Sequence, residues 1–285
     1  MSLFYFQGLN CYSSSMLNAA ALTGVDYRNV FANLWSETDF TYDQIHHLYL
    51  SRRVPANLEA LGVKLEFLNC CSPEEVEKSL SRLSNEQWMV VGMDAFFIPW
   101  TPYYRTLHSS HYFIARKKNG NTYSCFDPTY DGKNMELTND NMISHTVDIC
   151  WIYKTAGNQF HISIRQEVQE ILYSHPKIQE NLLVQIKECA YGKHKNGELL
   201  AKYIDALINN RYLYVHYLQS MSLYRGKYDQ YFSKEFFQKW VTVKYGLYKA
   251  SIRQSNQEII REVCGHFGEL IREEMDIAQK IGTTI

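Results

Sequence analysis

The sequence predicts an α+β domain followed by an all-helical domain. Residues 1 to 156 alternate between helical and extended patterns, whereas after residue 163 apolar residues recur only at helical spacing. In addition, Pro176 is the single proline in the second half of the chain. We therefore expect domains at 1–156 and 157–285, joined by a linker at Gly157–Gln159.

The first third of the chain contains signals for helices and for one strand. Residues 16–22 follow a serine-rich segment and are typical of a helix, and residues 54–61 form a short helix that Gly62 closes. Residues 63–68 alternate between apolar and polar side chains, which indicates a strand. Ser72 then precedes Pro73 and Glu75, a combination that starts a helix.

A β-hairpin is the clearest feature of the next segment. Residues 88–92 are a compact apolar run, which favours a buried strand. Residues 111–116 and 122–126 flank Asn119-Gly120, a dipeptide that favours tight hairpin turns. Residues 149–153 are predicted to be a further strand. The second domain is predicted to contain helices over residues 180–191, 197–221, 234–252 and 257–281.

Composition excludes several classes of function. The 285 residues carry a formal net charge of −1 and no long basic run, so neither nucleic acid nor an anionic membrane is an expected partner. No apolar run reaches the roughly 18 residues that a membrane-spanning helix requires. The seven cysteines form no CxxC pair, which argues against a disulfide scaffold or a metal site and favours the cytoplasm.

The segment Gly8–Ser15 contains the strongest chemical signal. It places Cys11 after a glycine turn and before the expected helix. The positive end of a helix dipole favours the thiolate form of a cysteine, and a thiolate is a nucleophile. Such a nucleophile requires a base to carry protons, and an additional group to orient that base.

His111 and Asp127 are the expected base and orienting acid. His111 begins one hairpin strand, and Asp127 ends the other at Pro128. With the turn centred near 119–120, antiparallel pairing places residue 111 opposite about residue 127 or 128. An oxyanion hole would need the Cys11 backbone N–H and one side-chain donor, for which Gln7 and Asn10 are candidates.

Two further residues are candidates for contact with a substrate. His108 lies in the loop before the hairpin and could face substrate, although His111 is the preferred base because a strand holds it. Asp94 follows the apolar run 88–92 and precedes Ile98-Pro99-Trp100, a segment that could form a wall of a cleft. A turn-forming role for Asp94 is the alternative.

These motifs resemble a known family. Gly8–Cys11, Asp94, Ile98–Trp100, His111 and Asp127-Pro128 are similar in order and spacing to the butirosin biosynthesis protein H-type N-terminal domain. The resemblance covers roughly residues 5–155, and the helical second half also looks like the region that usually follows such domains. That family is similar to papain-like enzymes and to the leader peptidases of bacteriocin exporters. The resemblance thus implies a papain-like fold.

The resemblance also implies an acyltransferase of secondary metabolism. Cys11 would take an acyl group from the phosphopantetheine arm of an acyl or peptidyl carrier protein and pass it to a small amine. His111 would be general base and acid, and Asp127 would orient it. This chain would then need no cofactor of its own, since the carrier protein holds the phosphopantetheine. The glutamine of papain-like enzymes usually lies further ahead of the cysteine than Gln7 does, so the oxyanion donor stays open.

Two other functions are compatible with the same residues. The first is a cysteine peptidase or amidase that uses the same Cys-His-Asp site with water as acceptor. The second is a binding or assembly module without catalytic activity. The sequence allows an oligomer and does not identify the acyl group or the acceptor.

Overall fold

The computed structural model describes residues 3–44, 47–69, 72–85, 87–130, 132–156, 163–190, 197–252 and 257–285. The expected linker at 157–159 lies outside these residues. The chain divides into two compact units. The first comprises Met1–Val30, Gln44–His47 and Val54–Phe160, and the second comprises Phe31–Asp43, Leu48–Arg53 and His161–Ile285.

The structure is mixed α+β with a helical C-terminal region, as the sequence predicts. The helices are α1 (Cys11–Leu22), α2 (Arg53–Ala60), α3 (Pro73–Ser81), α4 (Asn139–His145), α5 (Ile164–Ala190), α6 (Gly197–Ser220), α7 (Lys234–Ile252) and α8 (Gln257–Gly282). The strands are β1 (Phe40–Asp43), β2 (Leu48–Ser51), β3 (Val63–Asn69), β4 (Met89–Asp94), β5 (Ser110–Asn119), β6 (Thr122–Asp127), β7 (Gly132–Thr138) and β8 (Thr146–Lys154).

The first unit is organised around an antiparallel sheet with strand order β3-β8-β4-β5-β6-β7. Helix α1 packs against β5, β4 and β8, and the Ser15 hydroxyl donates to the Tyr112 carbonyl oxygen at 3.1 Å. Side chains of α3 and α4 join the apolar core on the other face, among them Val76, Leu80 and Met142. Because helices cover both faces, β4 is buried from Met89 to Met93, which explains its continuous apolar run.

The hairpin β5–β6 forms, but its register differs from the expected one. The turn lies at Gly120-Asn121, and a bulge interrupts the pairing between Lys117 and Asn119. Ile114 consequently pairs with Phe126, which brings Asp127 level with Phe113 rather than with His111. His111 and Asp127, which the sequence predicts to lie opposite each other, are instead diagonal neighbours on adjacent strands.

Several element boundaries also differ from the expected ones. Helix α1 begins at Cys11 rather than Met16, because Asn10 caps it. Helix α5 begins at Ile164, well before residue 180, and continues through Pro176. The sequence analysis does not predict the short elements β1, β2, β7 and α4, because no periodic pattern of apolar residues identifies them. The helix predicted at 234–252 is confirmed residue for residue.

The second unit is built on α5, α6, α7 and α8. Helix α5 packs against α8, α6 against α7, and α7 against α8. Fully buried aromatic and apolar side chains fill its core: Tyr214, Phe236, Trp240, Leu247, Phe267 and Leu270. This arrangement confirms the helical C-terminal region that the apolar spacing predicts.

Two segments from the first 53 residues belong to this helical unit, although we had expected them in the first domain. The buried carboxylate of Glu37 accepts hydrogen bonds from Asn210 Nδ2 of α6 at 2.7 Å and from Ser51 Oγ at 2.6 Å. The ring of Phe40 lies 5.5 Å from that of Tyr203, also in α6. These long-range contacts explain why the β1–β2 hairpin belongs with the helices.

A buried polar network around Glu274 joins all four helices of this unit. Glu274 of α8 is fully buried, and its carboxylate lies 2.7 Å from Arg211 Nη2 and 2.6 Å from His175 Nε2. The indole N–H of Trp240 donates to the same carboxylate at 3.3 Å. Burial raises the pKa of Glu274, but Arg211 and His175 outweigh burial and hold it at about 2.

Replacing Arg211 with Met should destabilise the helical unit strongly, by about 3–5 kcal/mol, because it leaves Glu274 charged and buried without its cation. Urea unfolding followed by circular dichroism measures this loss. The double variant Arg211→Met/Glu274→Leu should recover most of it. As a control, Lys239→Met removes an exposed ion pair with Glu273 and should change the free energy of unfolding by less than about 1 kcal/mol. Equal losses in the Arg211 and Lys239 variants would contradict this account of the network.

Candidate active site

Cys11 is the first residue of helix α1, and its local sequence fixes that position. Gly8 has a φ of 97°, a conformation that glycine adopts without strain. Asn10 then caps the helix: its side-chain oxygen accepts from the Ser13 N–H at 2.8 Å, and its own N–H donates to Ser13 Oγ at 3.1 Å. The thiol therefore lies at the positive end of the helix dipole.

His111 and Asp127 form a buried pair. Their side chains are 6% and 0% exposed, and His111 Nε2 lies 2.6 Å from Asp127 Oδ2. The same carboxylate accepts from the Trp100 indole N–H at 2.8 Å and from the Thr129 backbone N–H at 3.0 Å. These contacts fix the imidazole and leave Nδ1 as the ring nitrogen available to other groups.

Cys11 is close enough to the His111 imidazole to raise its pKa, and His111 contacts Asp127, so the structure brings all three predicted residues together. Burial lowers the pKa of His111, but the hydrogen bonds and charges of Asp127 and Cys11 outweigh burial and raise it to about 9. The imidazole is therefore protonated at neutral pH. An imidazolium beside a thiol stabilises the thiolate, which is the reactive form of a cysteine.

Tyrosine side chains border this centre, and the sequence analysis did not identify them. The Tyr130 ring lies 5.1 Å from the His111 ring, tilted by 43°. Burial, together with the negative charges of neighbouring groups that include Tyr103, Asp127 and Cys11, raises the pKa of Tyr130 to about 12. Burial and Cys11 also raise the pKa of Tyr5. The sequence could have indicated Tyr130 only by its position, since it lies three residues after Asp127 and follows Pro128.

The structure does not select between the two expected oxyanion donors. The helix cap uses the side-chain oxygen of Asn10, which accepts from the N–H and the hydroxyl of Ser13. Gln7 is exposed in the turn that contains Gly8. Neither side-chain amide nitrogen forms a hydrogen bond within the described residues.

Asp94 and His108 form a second pair with a structural role. Asp94 Oδ1 accepts from the backbone N–H groups of Phe96 and Ser109, and Oδ2 lies 2.6 Å from His108 Nδ1. The His108 ring stacks on Phe96 with centroids 4.3 Å apart. Burial raises the pKa of Asp94, but the hydrogen bonds from His108, Phe96 and Ser109 hold it below its usual range. These contacts organise the loop that follows β4.

Comparisons with known proteins identify no family for this chain. No protein-family model matches it, and no curated protein is significantly similar to it. In the part of the chain that the structure describes, no three His, Cys, Asp or Glu side chains are grouped as a metal ion would require. None of the described helices combines the length and apolar character needed to cross a membrane.

Replacing Asn10 with Ala should destabilise the protein by about 1 kcal/mol, because it removes the cap of α1. Urea unfolding of the two proteins measures the difference. Asn10→Asp is the matched control, since an aspartate oxygen caps a helix equally well. If the Asp variant were as unstable as the Ala variant, the capping role of Asn10 would be wrong.

The His111 imidazole should titrate with a midpoint of about pH 9. NMR of the ring carbon Cε1 measures this midpoint, which Cys11→Ala and Asp127→Ala should each lower. Because the folded pKa lies above the unfolded value of about 6.5, the linked stability is complete below pH 6.5 and is lost as pH rises through 9. Asp94→Ala, which removes the partner of His108, should leave the His111 midpoint unchanged. A midpoint at the unfolded value in the wild-type protein would refute the assignment.

Proposed function

We propose that this chain is a cysteine-dependent acyltransferase of secondary metabolism. It takes an acyl group from the phosphopantetheine thioester of a carrier protein onto Cys11 and passes it to a small amine. The observation that carries this proposal is the placement of Cys11 at the start of α1 beside His111, whose Nε2 lies 2.6 Å from the buried Asp127 carboxylate. Nucleophile, proton carrier and orienting acid are the three parts that thiol-based acyl transfer needs.

The proposed reaction has two steps. The Cys11 sulfur attacks the thioester carbonyl carbon, and the tetrahedral intermediate expels the donor sulfur, which takes a proton from the His111 imidazolium. The amine then attacks the Cys11 thioester and gives its proton to the now neutral His111. Cys11 leaves as thiolate, and the amide product is released. Throughout, Asp127 holds the imidazole in one orientation.

The proposal includes a papain-like architecture for the first unit and a cytoplasmic setting. A cysteine at a helix start, facing a histidine on an antiparallel sheet, supports that architecture. The resemblance of Gly8–Cys11, Ile98–Trp100, His111 and Asp127-Pro128 to the butirosin-type domain supports transfer from a carrier protein. The described cysteines Cys11, Cys125, Cys150 and Cys264 are free thiols, which suits a reducing compartment.

Incubation with acyl-pantetheine thioesters, or with acylated carrier proteins, should add the mass of one acyl group to Cys11. Intact-mass spectrometry and peptide mapping measure this adduct. Cys11→Ala should form no adduct, and His111→Ala should form it slower by roughly 10²-fold or more, because it loses the proton carrier. Asp94→Asn, a carboxylate change in the His108 pair, should leave the rate unchanged. An adduct on the Cys11→Ala protein would rule out this mechanism.

Transfer and hydrolysis differ in the molecule that accepts the acyl group from Cys11, a small amine or water. After acylation, a panel of small amines should yield amide products faster than water releases the free acid. Peptide libraries provide the comparison, since a peptidase or amidase should cleave them whereas a transferase should not. If no adduct forms and Cys11 is alkylated by iodoacetamide with an ordinary thiol pH profile, the chain is a binding module instead.

A further inference from the structure

The proposed reaction needs an oxyanion donor, and the geometry selects neither Gln7 nor Asn10 for that role. When Cys11 attacks a carbonyl carbon, the carbonyl oxygen becomes negatively charged and requires hydrogen-bond donors. The backbone N–H of Cys11 is one such donor, because the first N–H groups of a helix have no acceptor within it. The cap of α1 uses the Asn10 oxygen and not its amide NH2 group, so Asn10 is a competing donor, whereas the Trp100 N–H is committed to Asp127.

Tyr130 borders the His111 imidazole and is the candidate for a second donor. The Asp127 carboxylate accepts from the Thr129 N–H, and this turn brings the Tyr130 ring against the His111 ring, 5.1 Å away. Cys11 and Asp127 are among the groups whose charges, together with burial, raise the pKa of Tyr130. Because its pKa is raised to about 12, it keeps its proton at neutral pH. Within the described part of the chain, no group forms a hydrogen bond with that hydroxyl.

We propose that the Tyr130 hydroxyl donates a hydrogen bond to the oxyanion of the tetrahedral intermediate on Cys11, together with the Cys11 backbone N–H. This inference rests on the proposed function, because it assumes that Cys11 is acylated. As the carbon–sulfur bond forms, the π-electron pair of the carbonyl moves onto its oxygen, and Tyr130 stabilises that charge without transferring its proton. When the intermediate collapses, the pair returns and the donor group leaves.

The neighbouring tyrosines fit this role less well. Tyr5 is 48% exposed and Tyr103 is 38% exposed, so water competes for their hydroxyls. Tyr130 is more buried, and its ring is held between the Asp127 turn and His111. A donor that is fixed before the reaction stabilises the transition state more than one that must be reorganised.

The test compares acylation with alkylation of the same thiol. Acylation of Cys11 by p-nitrophenyl acetate passes through an oxyanion, whereas alkylation by iodoacetamide displaces iodide and forms none. In the Tyr130→Phe variant, which keeps the ring, acylation should be slower by roughly 10- to 100-fold, while alkylation should change by less than about twofold. Stopped-flow absorbance and intact mass measure the two rates. Tyr5→Phe and Gln7→Ala are the matched controls, in which both rates should stay unchanged.

Each other outcome decides against Tyr130. Equal acylation rates in the wild-type and Tyr130→Phe proteins overturn the role of Tyr130 but not the proposed function. The same holds if acylation is slowed only in Tyr5→Phe or Gln7→Ala. A parallel loss of acylation and alkylation in Tyr130→Phe also overturns that role, since the hydroxyl would then act on the reactivity of the Cys11 thiol rather than on the oxyanion. If wild-type Cys11 is not acylated at all, the proposed function fails and this inference fails with it.

Discussion

The burial of the Asp127 carboxylate is the constraint on which the candidate site depends. A charged carboxylate without solvent is strongly unfavourable unless hydrogen bonds and opposite charge replace the water. Asp127 is 0% exposed, and its oxygens accept from His111, Trp100 and Thr129. Each of these bonds fixes a different part of the first unit: the start of β5, the loop after β4, and the turn after β6.

The second unit also buries a carboxylate, that of Glu274, and it differs from Asp127 in the group that compensates its charge. Glu274 contacts a histidine and a tryptophan N–H, as Asp127 does, but Arg211 also supplies a permanent positive charge. In the described chain, no lysine or arginine forms an ion pair with Asp127. Charge compensation there depends on His111, which explains why its pKa is raised to about 9 despite burial. The same polar residue types thus give a network with a permanent cation in one unit and a titratable one in the other.

The sequence predicted those parts of the fold and site that depend on local signals. The capping serine of α3, the Asn-Gly hairpin and the periodicity of α7 each lie within a few residues, and Cys11, His111 and Asp127 were selected by similar local cues. Most of what it did not predict depends on distant contacts. The attachment of residues 31–43 and 48–53 to the helices and the bond from Trp100 to Asp127 both involve partners far apart in the chain. The bulge that shifts the hairpin register is local, but no residue pattern marks it.

The site consists of two segments, the start of α1 and the end of the β5–β6 hairpin, and local contacts fix each of them. Gly8 and Asn10 set the start of α1 and hence the direction of the Cys11 thiol. The end of the β5–β6 hairpin sets His111 and Asp127, and the turn that the Asp127 carboxylate organises continues directly into Tyr130. Since a buried carboxylate holds the His111 imidazole and anchors this turn, a change at Asp127 would disturb both the proposed proton carrier and the proposed oxyanion donor. The two roles are therefore coupled through one side chain, and Tyr130→Phe separates them because it leaves that carboxylate in place.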